Sequence, residues 1–301
     1  MPSPARRPRR PRRPQTPTRS YTAIADVAES VTPVPAAPEH SLTGEFRVHE
    51  CFHSEHLAHD RDILVFLPPG FDAAAGRRYP VLYMHDGQNL FDRATAFGGA
   101  EWQVDETAHR LIEEGAIEPL IIVGIYNTGA HRVEEYTPVP DAEHPEGGKA
   151  DDYGRMLVEE LKPFIDATYP SRPDAASTGL AGSSLGGLVT MHLALRHPEV
   201  FGRLAILSPS VWWGDRAIVR EVEALPAKTA TRIWLDVGAK EGEQVAADAR
   251  TLCAALVAKG WVEGEDLAYR EVPDGEHNER SWAARIADVL QFLYPVAGGS
   301  P

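Results

Sequence analysis

Gly182-Ser183-Ser184-Leu185-Gly186 is a G-x-S-x-G run with Ser184 at its centre, and Gly187 follows it. Small residues on both sides of a serine permit a sharp turn from a strand into a helix, with the hydroxyl lifted above the end of a parallel sheet. A Cβ at the flanking positions would meet neighbouring backbone in so tight a turn. The pattern is common, so its flanks decide its meaning. Ser177-Thr178-Gly179-Leu180-Ala181 leads in as a short apolar strand. Leu185 to about Arg196 reads as an apolar helix that Pro198 stops. That is the setting an exposed nucleophile needs, and we read Ser184 as one rather than as part of a plain Gly/Ser turn.

The same alternation continues on both sides. Glu45–His49 and Asp62–Leu67 read as two strands joined by a hairpin that carries His53, His56 and His59. Those histidines share neither a strand face nor a helical turn, so they read as surface residues rather than metal ligands. Pro80–His85 is a near-continuous apolar run, as a buried parallel strand requires, and it ends in Asp86-Gly87-Gln88-Asn89. A helix is predicted over Glu101–Glu114, a strand over Pro119–Ile125, a long loop over about Asn127–Lys149 and a helix over Asp152–Ile165. Beyond the serine turn, strands are predicted at Leu204–Leu207, Arg232–Val237 and Leu267–Val272. Helices are predicted around Val245–Leu256 and Trp282–Leu293. Strands alternating with helices imply an α/β fold, a doubly wound and mainly parallel sheet with helices on both faces. Ligands then gather at the carboxyl ends of the strands.

Composition narrows the function. Residues 1–20 hold seven arginines and no acid, which leaves −21 for the rest of a chain whose net charge is −14. So acidic a body is not built for nucleic acid. Residues 1–40 are rich in Pro, Arg, Ser, Thr and Ala and are expected to form a disordered tail without the apolar core of a secretory signal. The catalytic domain is expected over 41–296, with 297–301 flexible. No apolar run approaches the ~20 residues of a membrane span. Two cysteines, Cys51 and Cys253, make no disulfide framework and no metal-thiolate set, so a cytoplasmic location and no cofactor are expected.

A serine hydroxyl needs an adjacent base. His192, His197 and His277 follow Ser184 in the chain. His192 and His197 belong to the helix after the serine and read as structural. His277, in the loop Pro273–Asn278 after the last strand, is placed to deliver a base. Two residues compete to orient it. Asp236 lies within its strand, among residues that face the core. Glu241 lies past the strand's end, where it can turn toward His277, and is the expected acid. The developing oxyanion needs two backbone N–H donors, expected from Leu185 and from the turn at Gly87 and Gln88. Trp212 and Trp213 are candidates for a pocket wall.

These pieces resemble a known family. Tyr83–Phe91, Glu101–Glu106, Arg132–Tyr136, Gly182–Gly187, Asp236–Glu241 and Gly275–Asn278 together are similar to the esterases that include enterochelin esterases, feruloyl and acetyl-xylan esterases, S-formylglutathione hydrolases and mycolyltransferases. The resemblance implies an α/β-hydrolase fold and a triad of Ser184, His277 and Glu241. The larger enterochelin esterases carry an additional N-terminal domain that this sequence does not show. The expected activity is hydrolysis of a small-molecule carboxylic ester through an acyl-enzyme. Acyl transfer to an alcohol or sugar, and cleavage of a siderophore trilactone, are the alternatives.

Overall fold

Apolar side chains fill nearly every position of Ile63-Leu64-Val65-Phe66-Leu67, so both faces of that strand must be covered. In the computed structural model, which describes residues 39–142 and 145–296, they are. The strands are β1 (Glu45–Phe52), β2 (Arg61–Leu67), β3 (Val81–His85), β4 (Ile121–Ile125), β5 (Thr178–Ser183), β6 (Arg203–Leu207), β7 (Arg232–Gly238) and β8 (Leu267–Val272). They form one sheet in the order β1-β2-β4-β3-β5-β6-β7-β8. β2 runs antiparallel to β1 and β4, and every other pairing is parallel.

The helices are α1 (Val104–Glu113), α2 (Arg132–Glu135), α3 (Ala150–Arg155), α4 (Lys162–Thr168), α5 (Leu185–Arg196), α6 (Trp213–Ala224), α7 (Glu243–Lys259), α8 (Glu279–Ala283) and α9 (Ile286–Leu293). Ile63, Val65 and Leu67 pack with α3 to α7 on one face. Leu64 and Phe66 pack with α1, α8 and α9 on the other. The doubly wound α/β architecture read from the sequence is the observed one. None of the described helices is long and apolar enough to cross a membrane.

Element ends differ from the sequence reading for local reasons. α1 begins at Val104, because Trp102 N and Val104 N donate to Asn89 O and Leu90 O at 2.9 and 3.1 Å and Gln103 between them is left-handed. The helix expected at Asp152–Ile165 runs from Ala150 to Thr168 through a wider π segment, Met156–Leu161. Pro163 has no N–H to return to the preceding turn, which accounts for the widening there. The last helix is broken at Arg285, whose side chain turns inward to Asp236. Nearly all of the Arg/Pro-rich tail, and the final five residues, lie outside the described residues. Where the description begins, His40 and Ser41 already hold Asp92 and Glu101 at 2.5 and 2.6 Å.

One buried ion pair ties the sheet edge to the loop that feeds the site. Arg61 on β2 donates twice to Glu135 on α2, at 2.9 and 3.1 Å, with side chains 1% and 4% exposed. Removing one member strands a charge in the interior, at about 3–5 kcal/mol. Arg61→Met should therefore lose about that much stability in urea denaturation. The double replacement Arg61→Met with Glu135→Leu should recover most of it. Equal losses in the two proteins would show that the pair is not what holds the loop.

Candidate active site

The serine turn is as tight as its glycines imply. Ser184 has φ 59° and ψ −123°, a region that residues with a Cβ seldom occupy. A Cβ on Gly182 would stand 2.7 Å from the carbonyl carbon of Gly186, so strand and helix could not meet there. The backbone is pinned from the next strand: Ser184 N donates to Leu207 O at 3.0 Å, and Ser210 N donates to Ser184 O at 3.1 Å. Ser184 Oγ has Ser210 Oγ at 3.4 Å.

His277 and Glu241 meet from separate strand ends. Glu241 sits on a 3-10 turn directly after β7, and His277 in the loop between β8 and α8. Nδ1 of His277 lies 2.7 Å from Oε2 of Glu241. A carboxylate there can only accept, so that ring nitrogen carries a proton, and in the neutral ring Nε2 then holds the lone pair. Oε1 of Glu241 accepts from Ser208 Oγ at 2.6 Å and Gly238 N at 2.7 Å. Burial opposes its charge, but the bonds from His277, Ser208 and Gly238 outweigh burial and hold the carboxyl below its ordinary pKa. Ser208, in a left-handed conformation at the end of β6, receives Trp282 Nε1 at 3.1 Å. Asp236 is fully buried and turned away. It accepts from Arg285 Nη1 and Trp234 Nε1, both at 2.8 Å. Burial nonetheless pushes its pKa up to about 6.

The turn after β3 forms the other side. Asp86 is left-handed, with φ 58°. Its carboxylate takes Nε and Nη2 of Arg132 at 2.7 and 2.8 Å and Nδ2 of Asn127 at 2.7 Å. Asn127 N donates to the Gln88 side chain at 3.2 Å. A Cβ on Gly87 would press within 2.6 Å of the Gly124 backbone, so the turn lies flat against β4. Among the described residues, no intramolecular partner takes the N–H of Gln88 or of Leu185. Burial resists the charge on Asp86, yet Arg132 and Asn127 draw its pKa below the ordinary value.

Ser184, His277 and Gln88 line one cavity of about 480 Å³, with Asp86, Asn89, Phe97, Trp102, Asn127, Arg132, Glu279 and Trp282 among the other walls. Ser184 and His277 face it together without a direct hydrogen bond. Trp212 and Trp213 do not line it. Trp213 is buried with Nε1 donating to Val139 O at 2.7 Å, and Trp212 is partly exposed beside it. Of the other histidines, His192 is clasped between Glu221 and Asp151 at 2.8 and 2.9 Å. His53 and His56 pair with Asp60 and Glu159, and His59 stacks on His131. No metal-ligating cluster occurs among the described residues. The sequence reading did not single out Ser208, Asn127, Glu279 or Trp282. Ser208 and Asn127 carried a signal, their places just past the carboxyl ends of β6 and β4.

A parallel sheet in this strand order, with a serine turn after β5 and an acid-paired histidine after β8, defines an α/β-hydrolase. Residues 54–293 match the family model described as "Putative esterase". The chain belongs to that family and is a carboxylic ester hydrolase. It is 30% identical over 247 residues to the uncharacterized protein YjcH of Bacillus subtilis, covering 80% of this chain and 95% of that one. It is 29% identical over 184 residues to the ferri-bacillibactin esterase BesA of the same organism, covering 55% and 61%. The solved structure of the BES protein from Bacillus cereus shares the fold, with TM-score 0.68 at 23% identity over 88% of this chain and 100% of that one.

Beneath the site, His85 is buried with Nδ1 at 2.9 Å from Tyr153 Oη and Nε2 unpartnered. Burial lowers its pKa from 6.5 to about 3. The unfolded chain therefore binds a proton that the folded chain refuses, so this residue costs stability progressively as pH falls from 6.5 toward about 3. Urea midpoints across that range should fall less steeply for His85→Gln than for the parent protein. Parallel acid limbs would mean that His85 protonates in the fold.

Proposed function

We propose that Ser184, His277 and Glu241 form the catalytic triad of a serine esterase, within a catalytic domain spanning 41–296. Ser184 Oγ attacks the ester carbonyl while Nε2 of His277 takes its proton. The N–H groups of Leu185 and Gln88 hold the oxyanion. Collapse expels the alcohol, to which His277 returns the proton, and leaves an acyl-enzyme. Water then attacks by the same route and frees the acid. The observation that carries this reading is the 2.7 Å contact of His277 Nδ1 with a Glu241 whose side chain is 1% exposed, at the wall of the cavity that holds Ser184. A carboxylate so held fixes the imidazole tautomer and stabilises the imidazolium of the attack.

The likeness to the bacillibactin esterase supports a second reading, cleavage of a siderophore ester. The net charge of −14 weighs against an anionic ferric complex. Two free cysteines, one exposed, support a reducing cytoplasmic setting.

Kinetics of three variants on a simple aryl ester test the triad. Ser184→Ala should lose on the order of 10⁵–10⁶ in kcat. Glu241→Gln should lose on the order of 10³–10⁴ in kcat with KM little changed. Asp236→Asn should instead lose about 3–5 kcal/mol of stability, because it weakens a buried pair with Arg285. A well-folded but inactive Asp236→Asn, beside an active Glu241→Gln, would reverse the assignment of the acid.

A further inference from the structure

Glu279 opens α8 two residues past His277, and it lines the same cavity as Ser184. It is lightly used. Asn89 Nδ2 donates to its Oε1 at 3.3 Å, beyond the usual length, and no other side chain donates to it among the described residues. The other charges near the cavity are matched. Asp86 is closed by two bonds from Arg132, and Glu241 by His277, Ser208 and Gly238. Glu279 is the carboxylate left over. Burial and the neighbouring Asp86 raise its pKa, while His277 and Arg132 are the charges opposing that rise.

Three aromatic residues share the wall with the neutral polar side chains of Gln88, Asn89 and Asn127. Phe97 is 80% exposed at the rim, and Trp102 and Trp282 pack together with ring centroids 5.4 Å apart. Aromatic faces attract cations, most strongly where water is partly excluded. An uncompensated carboxylate beside such faces favours a positive group and repels a negative one.

We infer that this cavity selects esters that carry a cationic nitrogen near the scissile carbonyl, and discriminates against those that carry a carboxylate there. The inference rests on the triad reading above and goes further by naming a substrate class and Glu279 as the residue that sets it.

Two matched series test it, one for each half of the ester. The acyl series is the p-nitrophenyl esters of aminohexanoic acid, hexanoic acid and adipic acid as its monoester. The alcohol series is acetylthiocholine, dimethylbutyl thioacetate and acetylthiopropionate. In at least one series kcat/KM should be about tenfold higher for the ammonium ester than for the carboxylate ester, with the neutral ester between them. Glu279→Gln should bring that ratio close to one, and Glu279→Asp should keep most of it. A ratio near one in both series for the parent protein, or a ratio that survives in Glu279→Gln, overturns the inference. Failure of the parent protein to hydrolyse even the neutral esters would overturn the triad, and this inference with it.

Discussion

Everything at the site depends on one backbone constraint, the turn that carries Ser184 from β5 into α5. At φ 59° and ψ −123° the residue is in a conformation that costs about 1–3 kcal/mol. The surrounding sheet supplies the compensation. Leu207 O accepts the Ser184 N–H, Ser210 N donates to the Ser184 carbonyl, and the central strands β3, β5 and β6 are buried on both faces. The return is positional. The same turn raises the hydroxyl into the cavity and leaves the Leu185 N–H open beside it, so the two groups of the proposed attack are set by one stretch of chain.

The partners are brought to that turn by parallel strands ending at one edge. β3 delivers the Gln88 N–H, β6 delivers Ser208, β7 delivers Glu241 and β8 delivers the His277 loop. Ser208 joins the two acids that lie there. Its Oγ donates to Glu241, and its N–H donates to the carbonyl of Asp236 at 2.9 Å. The two carboxylates differ in what surrounds them. Asp236 is locked to Arg285 inside the sheet, and Glu241 has one oxygen anchored to the backbone turn and one directed at the histidine. The first holds the residue that precedes α9 to the sheet, and the second holds the His277 ring.

Much of this was legible in the sequence, because period and punctuation are local properties. The doubly apolar runs at Ile63–Leu67 and Val81–His85 required a sheet covered on both faces. The glycines around Ser184 required a sharp turn. Placing Glu241 past its strand and Asp236 within it followed from strand length alone, and the structure brings Glu241, not Asp236, to His277. What could not be read was side-chain direction across the sheet. Trp212 and Trp213 follow a strand end, as wall residues would, but Trp213 turns into the core to reach Val139 O. The wall is made instead by Trp102 and Trp282, which are 180 positions apart in the chain and meet only through the packing of α8 near the start of α1. The left-handed Gln103 and the inward Arg285, which displaced two helix ends, likewise answer to tertiary partners that no local pattern announces.

On the proposed mechanism Ser184, raised by its strained turn, forms a covalent acyl-enzyme. Intact-mass measurement after brief reaction with a fluorophosphonate, followed by peptide mapping, shows which residue is the reactive nucleophile. One adduct per chain is expected, located on Ser184 and absent from Ser184→Ala. A protein that hydrolyses esters yet carries no adduct, or carries it on another residue such as Ser210, would rule out Ser184 as the nucleophile.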